Sequence, residues 1–278
     1  MTDHVSERVI VITGAGSGFG RLVAQLTAAR GARVVASDID IDAAEETAAS
    51  IVAADGEAVA IRADVTNRSE MQALARRARE EFGRIDVMVN NAGVMPLAFF
   101  SDHEVAAEAW DRCIDINFKG VLNGITAVYD QMIAQGRGHV VNISSIYGNF
   151  PNAGAAVYTA TKAAVNILSE VLRVESQGKI KVTTVKPTGV PATGLSASVV
   201  NGEAIVGILG HHGPAFMNNV TAYATGQLPP EQADVDDIRY WTVSPEDLAE
   251  QIVYVIDQPW GLSISDITVR AAGEEYLL

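Results

Sequence analysis

The chain has 278 residues, of which 48% are apolar and 19% charged, with 34 acidic against 20 basic side chains for a formal charge of −14. This composition belongs to a folded globular protein, and its negative balance works against binding nucleic acid or an anionic bilayer. A lone cysteine, Cys113, excludes an intramolecular disulfide; with an N-terminus ("MTDHVSERVIVITG") that lacks a signal peptide's apolar core and no stretch near the ~20 apolar residues of a membrane span, the expectation is a cytoplasmic protein.

Along the chain, short runs rich in β-branched residues alternate with segments of helical period. "RVIVIT" (8–13), "RVVAS" (33–37), "AVAIR" (58–62), "IDVMVN" (85–90), "HVVNIS" (139–144) and "IKVTTV" (180–185) read as strands, and residues near 19–30, 42–54, 68–82, 103–135 and 155–177 as helices. Continuously apolar strands fit a sheet covered on both faces. The β-α-β rhythm predicts a single α/β domain over 1–278, a Rossmann-type doubly wound parallel sheet of about seven strands flanked by helices. After Val185 the rhythm fails: residues 186–243 hold five of the nine prolines and no sustained period. So long an irregular segment suggests a substrate-binding loop or lid over 187–243. "SPEDLAEQIVYVID" (244–257) restores a helix, with Ser244 as N-cap and Pro245 at its first position; "DITVR" (266–270) supplies a last strand.

The first strand runs into "TGAGSGFG" (13–20), which opens a helix. Gly14, Gly18 and Gly20 permit a tight turn, close approach of the backbone to a pyrophosphate, and packing of helix on strand. An acidic residue, Asp38, ends the second strand roughly 20 residues on, the position that accepts hydrogen bonds from an adenosine ribose. Its carboxylate would face the 2′-phosphate of NADP as a like charge, so NAD is the expected cofactor; Ile39 and Asp40 follow it, and Ala15, Gly16 and Ser17 fill the turn without a cation.

"YTATK" (158–162) places a tyrosine and a lysine four apart, on one helix face. Alone, the pair is equally an ordinary amphipathic turn. Together with "TGAGSGFG", "NNAG" (90–93) and "NISS" (142–145), in that order and spacing, it makes the chain resemble the short-chain dehydrogenase/reductases from about Arg8 to Lys186. The resemblance implies a catalytic set of Asn117, Ser145, Tyr158 and Lys162. Tyr158 would be the acid/base. A phenol of pKa ~10 is a weak base at neutral pH, and the Lys162 ammonium, with the positive nicotinamide ring, would lower it. Ser145 would hold the substrate oxygen, Lys162 would also bind the nicotinamide ribose, and Asn117, in "INFKG", would kink its helix and hold a water linking the lysine to solvent.

Cofactor contacts implied by the same resemblance are Gly14, Ser17, Gly18, Phe19 and Gly20 in the turn, Asp38, Asp64 and Val65 around the adenosine, and Asn91, Ala92 and Gly93 after the fourth strand, where Asn90 would tie neighbouring backbone together. Tyr158 and Lys162 join this set, with Pro187, Thr188 and Val190 beyond the sixth strand. There the segment "KPTGVPATG" departs from the family pattern, with Thr188 in place of a glycine and Thr193 displaced by one residue. "SISDITVRAAG" also lacks the family's usual C-terminal glycine-rich turn. Paired helices near 103–135 and 155–177 resemble the family's oligomer interface, a tetramer or a dimer.

Met95, Leu97, Tyr147, Leu195, Phe216, Met217 and Tyr223 are the candidate substrate contacts, and their apolarity favours an uncharged hydrophobic alcohol or ketone. His211 and His212 are adjacent and lack metal-ligand company, so no metal is expected. The function that follows is hydride transfer between NAD(H) and an alicyclic, terpenoid, aromatic or steroid-like secondary alcohol or ketone. The alternatives are a non-catalytic NAD(H)-sensing protein and a dehalogenase-like lyase, which would share Ser145 and Tyr158 but need no glycine turn or Asp38.

Overall fold

The computed structural model describes residues 3–191 and 193–276. Seven strands form one sheet: β1 (Val9–Thr13), β2 (Arg33–Asp38), β3 (Glu57–Arg62), β4 (Val87–Asn90), β5 (Gly138–Ile143), β6 (Ile180–Pro187) and β7 (Asp266–Val269). Their order is β3-β2-β1-β4-β5-β6-β7, every pair parallel. Order reverses between β1 and β4, so the connections from their C-terminal ends leave on opposite faces and open a crevice there, where such sheets bind ligands.

Helices follow the predicted alternation: α1 (Gly18–Ala29), α2 (Ile41–Ala53), α3 (Arg68–Phe82), α4 (His103–Cys113), α5 (Val121–Gln135), α6 (Ala156–Glu175), α7 (Val206–Leu209), α8 (Gly213–Ala224), α9 (Pro230–Ala233) and α10 (Pro245–Ile256). Alternate strand side chains enter different cores, as the two-residue period requires. Ile10 and Ile12 pack with Val23, Leu248 and Ile252 on the face of α1 and α10. Val9 and Val11 join Leu74, Met132, Val165 and Leu172 on the face of α3, α5 and α6. A third cluster, containing Leu97, Tyr147, Tyr158 and Leu209, lies beyond the C-terminal end of the sheet.

Helix ends are written locally. Asp40 caps α2 by accepting from the Ala43 amide, and Asn67 caps α3 by accepting from Ser69 and Glu70. Gly83 and Gly136 terminate α3 and α5 with φ of 78° and 72°, a left-handed conformation that glycine adopts without cost. Ser244 and Asp247 form a reciprocal capping box on α10, as the sequence leads one to expect.

Two expectations need correction. Residues 103–135 are not one helix: a π-helical turn, Ile114–Gly120, separates α4 from α5 and contains Asn117. Residues 187–243 are not irregular throughout, since they hold α7, α8, α9 and several 3-10 turns. Helical period is absent from the sequence there because α8 carries no buried residue and so needs no apolar stripe.

Candidate active site

The glycine turn is built as its sequence requires. Gly14 and Gly18 have φ of +66° and +51°. At Gly20 a Cβ would lie 2.2 Å from the Gly14 carbonyl oxygen, so only glycine lets α1 seat this closely on β1. Ser17, at the N-cap of α1, makes no side-chain cap bond, and the Cβ position of Gly18 has nothing within 4 Å. The first amides of α1 therefore face open space with the helix dipole behind them, which is how a helix start binds an anion.

Asn91, not Asn90, ties the neighbouring backbone together. Its Nδ2 donates to the carbonyls of Thr13 (2.9 Å) and Gly14 (3.1 Å), while the Thr13 hydroxyl accepts from the Asn91 amide at 3.1 Å. Asn90 is instead buried within the sheet and donates to Asn142 Oδ1, whose own amide donates to Ser169.

Asp38 ends β2 with its carboxylate toward the turn, accepting from the amides of Gly16 (2.9 Å) and Asp40 (3.1 Å). One cation passed over in the sequence is near: Arg21, one helical turn along α1, donates to the Gly16 carbonyl and pairs with Glu46. Its Nε has no partner in the described structure.

At the other end of the crevice, Tyr158 and Lys162 lie on the inner face of α6, 3% and 5% exposed. Lys162 Nζ donates to the Ile143 carbonyl at 2.8 Å and lies 5.6 Å from the Tyr158 ring centre. Burial lowers the Lys162 ammonium to about 8. Burial raises the Tyr158 phenol well above its ordinary value, opposed by its hydrogen bond with Ser145. Burial of the phenolate opposes the lowering that the Lys162 ammonium and a positive nicotinamide ring would bring.

Asn117 is fully buried in the π-helical turn. Its Oδ1 accepts from the Val94 amide at 2.9 Å and its Nδ2 donates to the Val94 carbonyl at 2.8 Å. This clamp fixes the backbone after Gly93 and positions the segment after β4. Both Asn117 Oδ1 and Lys162 Nζ come within 4 Å of the Cβ position of Gly93.

A single cavity joins the two ends. It is lined by Gly14, Ser17, Gly18, Phe19, Asp38, Asp64, Val65, Asn91, Ala92, Gly93, Ser145, Tyr158, Lys162, Pro187, Thr188, Val190 and Leu195, all anticipated, and by Ile39, Val94, Arg112, Ile116 and Thr193 among others that were not. Gly20 and Asn117 act from behind this lining. Thr188 turns its hydroxyl to the Val269 carbonyl at 3.2 Å, which accounts for its departure from the family pattern. Asp64 spends one carboxylate oxygen capping Thr66, through both amide and hydroxyl.

A family match now joins this geometry. Residues 8–204 match the family model described as short chain dehydrogenase. The chain belongs to the short-chain dehydrogenase family. It is 35% identical over 268 residues to an uncharacterized oxidoreductase of Listeria innocua, covering 95% of this chain and 96% of that protein. Over 271 residues it is 33% identical to the glycine betaine reductase of Emericella nidulans, covering 97% of this chain but 19% of that larger protein. Among solved structures, a short-chain dehydrogenase/reductase of Burkholderia phymatum in complex with NAD superposes with a TM-score of 0.75 at 28% identity, over 96% of this chain and 90% of that one. An alcohol dehydrogenase of the archaeon Thermococcus sibiricus, complexed with 5-hydroxy-NADP, shares the fold with a TM-score of 0.77 at 20% identity, over 96% and 98% of the two chains.

For this short-chain dehydrogenase the expected substrate contacts are dispersed. Leu195 lines the cavity. Leu97 and Tyr147 are buried in the third cluster, with Met95 and Phe216 packed against it. Met217 is 53% exposed and Tyr223 is absent from that cluster, so these two are not brought to the site. The described residues contain no metal-ligating cluster around His211 and His212, and no described helix is long and apolar enough to cross a membrane. Tyr276, near the C-terminus, joins the cluster without any signal in the sequence. Arg112 and Ile116 had a faint one, being four apart and immediately before Asn117.

Proposed function

We propose that the protein is an NAD-dependent dehydrogenase or reductase that transfers a hydride between NAD(H) and a hydrophobic secondary alcohol or ketone. The observation that carries this reading is one cavity with Asp38 and an uncapped helix start at one end and Ser145, Tyr158 and Lys162 at the other. These residues fit the dinucleotide: α1 would offer its amides to the pyrophosphate, Asp38 would accept from the adenosine ribose, and Lys162 would bind the nicotinamide ribose. Bound NAD(H) supplies or accepts the hydride.

The remaining chemistry belongs to the chain. Ser145 and Tyr158 hydrogen-bond the substrate oxygen, which fixes the carbon beneath the nicotinamide position and aims donors at the atom where charge develops. In reduction the protonated phenol of Tyr158 gives its proton to the forming alkoxide. In oxidation the phenol must first release its proton to solvent, and the phenolate, which the Lys162 ammonium favours and a positive nicotinamide would favour further, then takes the proton of the substrate hydroxyl. Asn117 holds Val94 and so keeps Gly93 out of the cofactor's way.

Asp38 supports the choice of NAD. A phosphate ~4 Å from its carboxylate would cost up to about 4 kcal/mol at an effective dielectric of ~20. Arg21, held by Glu46 and the Gly16 carbonyl, only partly offsets this. Exposed apolar residues Ile167, Val171 and Val174 recur at helical spacing on α6 and support oligomerisation through that face.

Fluorescence titration with NADH and NADPH, followed by a panel of alcohols and ketones with wild type and Tyr158→Phe, tests the reading. NADH should bind at least tenfold more tightly than NADPH, and the phenylalanine variant should lose ~10²–10⁴ in rate while still binding NADH. Binding of neither nucleotide would transfer the case to a lyase of the same fold. Binding without turnover of any substrate would indicate a nucleotide sensor.

A further inference from the structure

Three tyrosines gather where the crevice meets the third apolar cluster, and only Tyr158 has a role so far. Tyr147, 9% exposed, packs edge-on to Tyr158 with ring centres 5.5 Å apart. Tyr276 comes from the C-terminal segment and stacks at 5.8 Å on Phe216. It lies directly on the turn after β6: a Cβ on Gly189 would sit 1.6 Å from the Tyr276 hydroxyl, so that phenol is seated there only because residue 189 is glycine. Tyr147 lies between the other two, close enough for both Tyr276 and Tyr158 to disfavour its ionisation.

Neither the Tyr147 nor the Tyr276 hydroxyl has a hydrogen-bond partner among the described residues, whereas Tyr158 has Ser145. Neither oxygen is among the fully buried, partnerless polar atoms, so each phenol tip is open to a ligand that supplies the partner the described residues do not. Apolar chambers with a few placed polar tips are how proteins orient small molecules. Burial keeps both phenols protonated, so each can donate as well as accept. The Glu274 carboxylate lies near Tyr276 and disfavours a second negative charge there.

On the reading of the site given above, we propose that the substrate carries, beyond its reacting carbonyl or carbinol, a second uncharged oxygen function that Tyr147 and Tyr276 hydrogen-bond. The substrate class is thereby narrowed from a plain hydrophobic ketone to a hydroxyketone, a diketone or the corresponding diol. Tyr276 acts as a specificity-determining residue contributed by the C-terminal segment.

The test compares cyclohexanone with 4-hydroxycyclohexanone, using NADH and the full chain. For wild type, kcat/KM should favour the hydroxyketone by about tenfold, the fold-change expected of one or two neutral hydrogen bonds. In Tyr276→Phe and Tyr147→Phe that ratio should fall toward one, chiefly through KM. Gly189→Ala, which pushes the Tyr276 phenol aside without removing it, should lower the ratio as well. An equal ratio in wild type and all three variants overturns the proposal. Calorimetric binding of the two ketones, with and without NADH, reads the same preference without turnover. If neither ketone is reduced but the hydroxyketone still binds more tightly, and loses that advantage in Tyr276→Phe, the polar chamber stands and the dehydrogenase reading falls.

Discussion

Lys162 should reduce stability while serving the site, and the cost can be worked from its burial. The ammonium is almost wholly removed from water, and its pKa falls from 10.5 to about 8. A depression of that size disfavours the charged form in the folded protein by on the order of 3 kcal/mol. The folded state therefore binds fewer protons than the unfolded chain between pH 8 and pH 10.5, so stability rises with pH across that window, and below pH 8 the full cost is present. Lys162→Met removes the charge but also the hydrogen bond to the Ile143 carbonyl, worth roughly 1 kcal/mol. At pH 7 the variant should be about 1–2 kcal/mol more stable than wild type by urea unfolding, although inactive. By pH 10 wild type recovers most of its penalty, and the advantage should shrink by about 2 kcal/mol or reverse. Lys181, lowered to about 8 mainly by burial, contributes a similar slope to both proteins and cancels in the comparison. A stability difference independent of pH would refute the argument, because it would mean that Lys162 titrates as an ordinary lysine.

Asp38→Ser should raise NADPH affinity relative to NADH by at least tenfold in parallel fluorescence titrations, since it removes the like charge but keeps an acceptor for the ribose; an unaltered ratio would refute Asp38 as the selector. Gly20→Ala places a methyl 2.2 Å from the Gly14 carbonyl and should cost about 1–3 kcal/mol in urea unfolding, together with NADH affinity, as α1 lifts off β1. Wild-type stability in that variant would show that the turn relaxes freely. Ser244→Ala breaks the capping box of α10, distant in sequence from the glycine turn. It should cost about 1 kcal/mol and leave the NADH dissociation constant unchanged, and a weakened constant would show that α10 positions the turn through α1.

How much of this was legible in the sequence depends on what each residue had to satisfy. The central strands could be read because both faces of β1, β4 and β5 are buried, which demands unbroken apolarity. Edge strand β3 alternates less cleanly because it is only half-covered. The caps Asp40, Asn67 and Ser244 are local chemistry and can be read as such. The break between α4 and α5 is not local chemistry, and only the family resemblance, through a kinking Asn117, pointed to it. Its cause is tertiary: Asn117 reaches the Val94 backbone from another element. The same reason explains the exchange of roles between Asn90 and Asn91. Asn90 ends β4 and Asn91 follows it, and only the register of β4 between β1 and β5 determines which points across to Thr13 and which into the sheet.

At the site, residues that touch the cavity through short-range motifs were legible, and those delivered by distant chain were not. Gly14, Asp38, Tyr158 and Lys162 are tied to strand ends or to one helix face, so spacing alone places them. Tyr276 is placed by a chain reversal after β7 that no local period records, against Phe216, which its apolarity alone had marked as a candidate. This asymmetry has a physical consequence. Groups common to any dinucleotide-dependent hydride transfer sit at the C-terminal ends of the central strands and on the inner face of α6. On the proposed function, the groups that would distinguish one alcohol from another lie on the segment after β6 and on the C-terminal segment, tied back by Thr188 to Val269 and Thr242 to Gly189. On that reading, substitutions in those segments would alter the substrate without disturbing Asp38 at the end of β2, Ser145 just beyond β5 or Tyr158 on α6.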